Sequence, residues 1–169
     1  EKLGINFKEL RNNMIDGYDR NRNIPKAGFA AGPCLYKDTA QLNAFLKNSF
    51  SLGEAATKIN RGFPYFIYSK MKNKFKKKLF SKRIGILGAA FKSDIDDIRD
   101  SLSIELYKFL KNKGLKVYIS DEFVKMKEII DKKILIKRSD IIILGVPHSS
   151  YKNIKIPKKK YLIDSWGFF

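Results

Sequence analysis

Residues 83–88 read R-I-G-I-L-G, a short apolar stretch that we interpret as a buried β-strand. Gly85 and Gly88 allow close packing or a tight turn there. Further strands are predicted at residues 115–121, 134–136, 141–146 and 161–164, and helices at residues 101–113 and 123–131. Because strands alternate with helices, this part of the chain is predicted to form a parallel α/β sheet.

The loop after the first predicted strand lacks the fingerprint of a dinucleotide-binding fold. It reads G-I-L-G-A-A-F instead of G-x-G-x-x-G, and the next helix begins too late to form the pyrophosphate turn. Asp121 lies 33 positions beyond Gly88, whereas about 20 is expected for a ribose-binding acid. We therefore interpret Asp121 as a strand-end residue. His148, the only histidine, is assigned no role.

The first part of the chain is predicted to be helical. Residues 3–14 have a loose helical spacing of apolar residues, with Asn6 as a possible cap. A second helix is predicted at residues 39–47. A third pattern covers residues 52–75 and is broken near Gly62 and Pro64, because proline kinks or restarts a helix.

A dense basic run at residues 70–83 is interpreted as a solvated helix end and linker. We place the domain boundary there. The expected organisation is a helical domain at residues 1–78 and an α/β domain at residues 79–169.

The only cysteine, Cys34, lies in the stretch G-F-A-A-G-P-C-L-Y-K-D-T-A-Q-L at residues 28–42. Small residues before it allow backbone amides to approach a bound molecule, and Asp38 is interpreted as the N-cap of the helix that follows. A thiol near a helix start, with Lys37 close by, is in a position that favours thiolate and hence a nucleophile. The alternative is a small, buried core residue.

Composition restricts the possible functions. The 169 residues are 44% hydrophobic, enough for a core, and no apolar run approaches the length of a membrane span. The start of the sequence does not resemble a signal peptide, and a single cysteine suits a reducing cytoplasm. The net charge of +18 is scattered and is accompanied by no nucleic-acid motif, so we expect neither a polynucleotide nor a membrane partner.

Two motifs carry a family resemblance. Residues 34–42, C-L-Y-K-D-T-A-Q-L, resemble the C-(L/F)-P-K-D-x-x-x-L signature of the UDP-glucose/GDP-mannose dehydrogenase family. Residues 85–101, G-I-L-G-A-A-F-K-S-D-I-D-D-I-R-D-S, resemble the signature that opens the UDP-binding domain of that family. The resemblance implies an α/β protein in which an all-helical central segment precedes a Rossmann-like, parallel-sheet UDP-binding domain.

The family resemblance also implies an activity. Its members are NAD-dependent nucleotide-sugar 6-dehydrogenases, which oxidise the primary alcohol of a UDP-sugar to the uronic acid in two steps. By this resemblance Cys34 is the nucleophile that forms a thiohemiacetal and then a thioester, and Asp38 positions the hydrolytic water. No metal is expected. Supply of a precursor for a surface polysaccharide is the role that the resemblance suggests.

Further site residues are implied in the same way. The expected substrate contacts are Arg20, Phe29, Ala30, Ala31, Gly32, Phe91 and Lys92, and the expected cofactor contacts are Lys37 and Arg99. Arg20, with Arg22 as the alternative, would reach the sugar nucleotide of a neighbouring subunit, but an exposed loop arginine without a specific role is the competing interpretation. For Arg99 the alternative is a salt bridge to a neighbouring aspartate: Asp96, Asp97 or Asp100.

The resemblance has departures and implies partners. Tyr36 replaces a proline of the motif, and the closing I-D-S-W-G lacks an arginine that many members have. NAD is expected to be held by an amino-terminal domain outside these residues, so the chain alone should be inactive. The central helix should form a homodimer. The alternatives are a non-catalytic UDP-binding and dimerisation module, and a basic nucleic-acid binder.

Overall fold

The computed structural model describes residues 3–169, except for the side chain of Leu35. The helical part contains α1 (Phe7–Ile15), α2 (Pro33–Phe45), α3 (Ser51–Arg61) and α4 (Phe63–Phe75). The remainder contains β1 (Arg83–Leu87), α5 (Leu102–Asn112), β2 (Lys116–Ser120), α6 (Lys132–Arg138), β3 (Ile141–Leu144) and β4 (Tyr161–Ile163). Short 3-10 helices lie at Asp19–Asn21, Lys76–Ser81 and Ser149–Tyr151. The predicted α/β class is confirmed.

The four strands form one parallel sheet in the order β2-β1-β3-β4. Both faces of the sheet are covered, as is usual for parallel sheets. Along β3, Ile141 and Ile143 belong to the core on the side of α4 and α5, whereas Ile142 and Leu144 pack with Leu135 of α6 on the other side. An uninterrupted run of apolar residues therefore marks a strand that is buried on both faces.

The helical part shares its core with the sheet. Phe29, Ile67 and Met71 belong to the same buried cluster as Ile84 and Ile86 of β1. Helices α4 and α5 also lie against each other, and aromatic rings meet edge to face between them. The segment that carries the cysteine is therefore held against the α/β part. The predicted boundary between residues 78 and 79 stays a prediction.

Several predicted elements of the helical part are confirmed. The pattern at residues 52–75 forms two helices that meet at Gly62, and Pro64 occupies the first turn of α4, where its missing N–H is tolerated. Helix α1 begins after Asn6, whose side-chain oxygen accepts a hydrogen bond from the backbone N–H of Lys8 at 3.0 Å. No helix in the described part of the chain is long and apolar enough to cross a bilayer.

Two predictions around residues 123–136 are wrong. The apolar triplet at residues 134–136 lies in α6 rather than in a strand, and residues 123–131 form an irregular segment rather than a helix. The reason is the carboxylate of Asp131, which accepts hydrogen bonds from the amides of Lys133 and Ile134 at 2.8 and 3.0 Å and so starts a helix there. Leu135 is then buried against the sheet.

The predicted start of α2 is also wrong. The helix begins at Pro33, not after Asp38, and its N-cap is Gly32. Proline suits the first helical position because its fixed φ fits and its missing N–H would have no partner in the helix. Asp38 is therefore an interior helical residue, and Cys34 lies in the first turn of the helix.

Candidate functional site

Cys34 is the second residue of α2, and its side chain is exposed. The interpretation of this thiol as a buried core residue is therefore wrong. The positive end of the helix dipole lies at this turn, as predicted, and favours negative charge. Asp38 follows four residues later, which places it on the same face of the helix. Lys37 and Asp38 are exposed and pair with each other at 3.4 Å.

A cavity of about 240 Å³ lies beside this turn, between the cysteine segment, α3 and the start of α5. Its walls combine small residues with a few polar and charged groups: Ala30, Ala31, Gly32, Tyr36, Thr39, Ala56, Thr57, Asn60, Arg61, Asp100 and Leu102. The small residues Ala30, Ala31 and Gly32 contribute to this wall, and access of a ligand to their backbone amides stays a prediction.

Arg61 joins three parts of the site. Its guanidinium lies 4.1 Å from the centre of the Tyr36 ring and donates a hydrogen bond to the carboxylate of Glu105 at 3.0 Å. Burial opposes the charge of Arg61, but the hydrogen bond and the charge of Glu105 raise its pKa above the ordinary value. The neighbouring Asn60 donates to the backbone oxygen of Ala30 at 2.6 Å. Helix α3 therefore holds both the cysteine segment and α5.

Residues 88–101, which we call the β1 loop, meet the cysteine segment at Gly32. The φ angle of Gly32 is 127°, and a Cβ atom there would lie 2.9 Å from Cδ2 of Phe91. Any larger residue would push the Phe91 ring away from the helix start. Lys92, the next residue, is exposed. Gly32 and Phe91 thus fit each other closely across the two motifs.

Arg99 binds Asp97 within the β1 loop. The guanidinium donates to both carboxylate oxygens, at 2.7 to 3.1 Å. This hydrogen bonding raises the pKa of Arg99 and lowers that of Asp97 below its ordinary value, and an electrostatic interaction with Cys34 also raises the pKa of Arg99. The salt-bridge interpretation of Arg99 is confirmed. Its contact with the cofactor stays a prediction.

The remaining predicted site residues have different environments. Phe29 is 2% exposed, packs edge to face on Phe63 at 4.8 Å and does not line the cavity, so its contact with a substrate stays a prediction. Ala30 and Ala31 line the cavity. Arg20 is exposed in the 3-10 helix Asp19–Asn21, outside the cavity wall.

A buried polar pair was missed by the sequence analysis. Nε2 of His148 lies 2.9 Å from Oδ2 of Asp121, and both side chains are fully buried. Burial alone would raise the pKa of Asp121, but hydrogen bonds from His148 and from the amides of Ala89, Phe123 and Ala90 lower it to about 2. The position of Asp121 could have been predicted from the sequence, because adjacent parallel strands end at the same edge of a sheet. This brings Asp121, after β2, close to the residues after β1.

The turn after β1 does not fit the primary NAD site of a dinucleotide-binding fold. The amides of Ala89 and Ala90, which follow β1 where a phosphate loop would bind an anion, donate to Asp121 instead. The carboxylate of Asp121 is itself fully occupied. Among residues 3–169, no group of three or more His, Cys, Asp or Glu residues could hold a metal ion.

Comparisons with known proteins agree with this architecture. Residues 85–169 match the model of the UDP-binding domain of the UDP-glucose/GDP-mannose dehydrogenase family. The chain is 32% identical over 129 residues to a UDP-glucose 6-dehydrogenase of Rickettsia bellii, covering 72% of this chain and 29% of that protein. It is 22% identical over 182 aligned positions to an NDP-N-acetyl-D-galactosaminuronic acid dehydrogenase of Ralstonia nicotianae, covering all of this chain and 42% of that protein.

A solved structure supports the same fold. A UDP-glucose dehydrogenase from the archaeon Pyrobaculum islandicum superimposes with a TM-score of 0.84 at 22% identity, over 99% of this chain and 42% of that chain. The chain thus spans less than half the length of the relatives that it matches. Because the family model matches 85–169, half of the sequence, the chain belongs to the UDP-glucose/GDP-mannose dehydrogenase family.

Proposed function

We propose that this chain supplies the nucleophilic cysteine and the UDP-sugar site of an NAD-dependent nucleotide-sugar 6-dehydrogenase. The observation that carries the proposal is the position of Cys34: its exposed thiol lies in the first turn of α2, between Gly32 and Tyr36, which line the cavity. Membership of the family supports the same assignment.

The thiol has a defined chemical task in this proposal. Its sulfur attacks the aldehyde carbon of the half-oxidised sugar and forms a thiohemiacetal, and oxidation of that adduct leaves a thioester. Water then cleaves the thioester and releases the uronic acid. Asp38, one helical turn beyond Cys34 on the same face, orients or activates this water.

The sugar nucleotide is proposed to bind between the cysteine segment and the β1 loop. Phe91 and Lys92 contact it from the β1 loop, which meets the cysteine segment at Gly32, while residues 30–32 face it from the other side. Lysine provides a point charge for a phosphate. Arg20 is proposed to reach the site of a neighbouring subunit.

The oxidation needs NAD as hydride acceptor, and we propose that a domain outside these residues holds it. Lys37 and Arg99 would contact that cofactor from this chain. Both side chains are largely exposed, with 62% and 73% of their surface accessible, which suits groups that act on a molecule held elsewhere. The isolated chain is therefore expected to bind UDP-sugar without oxidising it.

The proposed homodimer uses the outer surface of α3 and α4. Helices α3 and α4 expose large apolar side chains: Leu52, Ile59 and Phe66. Exposed apolar groups of this size on adjacent helices are typical of a protein interface. The cytoplasmic setting and the role in polysaccharide synthesis stay predictions.

Reconstitution tests the proposed reaction. Mixed with the NAD-binding part of a family member, the chain should produce two NADH for each UDP-sugar, and C34S should abolish formation of the acid. S49A, a change at an exposed position after α2, is the control and should retain activity. Full activity of C34S would overturn the catalytic assignment. A dimer that binds UDP while Cys34 proves dispensable would support the non-catalytic module instead.

A further inference from the structure

The carboxylate of Asp121 ties the end of β2 to the β1 loop. Its Oδ2 accepts hydrogen bonds from the amides of Ala89 and Ala90 at 2.6 and 3.1 Å. Its Oδ1 accepts from the amides of Phe123 and Val124 at 2.8 and 3.1 Å. A buried carboxylate with this many donors is well satisfied and holds each donor in place. Asp121 therefore fixes the backbone of Ala89 and Ala90 at the start of the β1 loop.

His148 fixes the middle of the same loop from the other side. Its Nδ1 accepts a hydrogen bond from the backbone N–H of Asp94 at 2.9 Å. Since Nδ1 is an acceptor, Nε2 carries the ring hydrogen and donates a hydrogen bond to Asp121. This assignment follows from the hydrogen-bond network. The imidazole of His148 thus connects the β1 loop to the end of β2.

Asp94 itself has an unusual backbone. Its φ angle is +60°, a region that residues other than glycine adopt rarely and that surrounding contacts must hold. Its carboxylate accepts from the amide and the hydroxyl of Ser149 at 2.9 and 3.0 Å. Ser93 donates to the backbone oxygen of Pro147 at 3.0 Å. The loop is therefore attached to the segment after β3 through both its backbone and its side chains.

The same loop reaches the candidate site at its other surface. Phe91 lies against Gly32 of the cysteine segment. Asp121 and His148 are fully buried and lie outside the wall of the cavity. Their effect on a ligand must therefore pass through the loop.

We infer that Asp121 and His148 are positioning residues, which hold the β1 loop in the conformation that presents Phe91 and Lys92 to the sugar nucleotide. This inference rests on the proposed function. It gives a role to His148 and Asp121, neither of which takes part in the proposed reaction. The carboxylate of Asp121 binds the amides after β1 that would bind an anionic ligand in a dinucleotide-binding fold. The sugar nucleotide binds on the opposite surface of the β1 loop.

Two substitutions of His148 separate its hydrogen bonds. In H148N the side-chain oxygen lies near the position of Nδ1 and can still accept from Asp94. In H148Q the amide reaches the position of Nε2 and can still donate to Asp121, but the acceptor for Asp94 is lost. D94G is a milder third variant, because glycine tolerates the positive φ while the bonds to Ser149 disappear.

Each variant of the full chain is measured by UDP binding in calorimetry and by amide hydrogen exchange without ligand. We expect H148Q to lose protection at Asp94 and to bind UDP about tenfold more weakly, and H148N to stay within about threefold of the wild type. D94G should also weaken binding while the amides of β1 and β3 stay protected. These readouts separate positioning from stability, since a purely structural role would lower the melting temperature and leave UDP affinity unchanged.

The outcomes are distinct. UDP affinity that is unchanged in both H148Q and D94G, or an Asp94 amide that stays protected in H148Q, would overturn the inference. A wild-type chain that does not bind UDP would instead overturn the proposed site, and exchange at Asp94 would still decide whether His148 holds the loop.

Discussion

Nε2 of His148 donates a hydrogen bond to Oδ2 of Asp121 at 2.9 Å, and both side chains are fully buried. The two residues are 27 positions apart and follow different strands. Their contact joins the carboxyl ends of β2 and β3 beneath the loop that follows β1. The contact therefore belongs to the hydrogen-bond network that holds the β1 loop next to the candidate site.

The first prediction concerns stability in acid. The pKa of Asp121 falls from its ordinary 3.8 to about 2 in the folded chain, so the ionised form stabilises the fold above about pH 4 and this contribution is lost as the pH falls towards 2. The difference corresponds to about 2 kcal/mol in the free energy of unfolding. Urea unfolding of the wild type and D121N at several pH values between 2 and 5 measures it.

In that experiment D121N should lose about 2 kcal/mol less than the wild type across this pH range. D96N, a change at an exposed aspartate of the β1 loop, should behave as the wild type. A titration of the Asp121 carboxyl by NMR gives the same answer without a variant. A midpoint near the ordinary value would contradict the prediction.

The second prediction concerns Arg61, which connects α3 to Tyr36 of α2 and to Glu105 of α5. R61A should lower the free energy of unfolding by about 1 kcal/mol, because it removes a cation–π contact and a partly exposed ion pair. It should also increase hydrogen exchange at the start of α2. K58A, at an exposed position on the same helix, is the matched control. Equal effects of the two variants would show that the contacts of Arg61 contribute nothing.

The third prediction concerns Gly85 in the centre of β1. A Cβ atom there would lie 2.4 Å from both Cδ2 of Leu135 and Oγ of Ser139. G85A should therefore destabilise the chain by about 1–3 kcal/mol, since crowding in a packed core forces side chains and backbone to shift. Thermal unfolding of G85A, L135A and the double variant checks this.

The single variants should not add in that cycle, because L135A removes one of the two atoms that the new methyl group would meet. An additive result would mean that Leu135 does not limit the space at Gly85. Ser139 would then be the contact that matters.

The fourth prediction concerns the thiol. Because Cys34 is exposed in the first turn of α2, the folded chain should react with a thiol reagent at one site per molecule before any denaturant is added. C34S should show no reaction. A thiol that reacts only after unfolding would contradict the described position of Cys34 and would remove the basis of the catalytic proposal.

Sequence alone determined the elements whose signals are local. The apolar runs of β1 and β3 predict buried strands because parallel strands covered on both faces need no polar residues. Helix α5 is predicted at residues 101–113 and spans Leu102–Asn112, and its N-cap Ser101 accepts a hydrogen bond from the amide of Ile104 at 3.4 Å. Each of these signals acts over a few residues, so no tertiary contact is needed to read it.

Tertiary structure decided the rest, because the deciding partners lie far apart along the chain. The pairing of Asp121 with His148 and that of Arg61 with Glu105 join residues 27 and 44 positions apart. Such contacts exist only after the sheet brings its strand ends together and α3 packs near α5. The sequence identifies Cys34 as a candidate nucleophile. The packing of Gly32 against Phe91 places the start of its helix against the β1 loop.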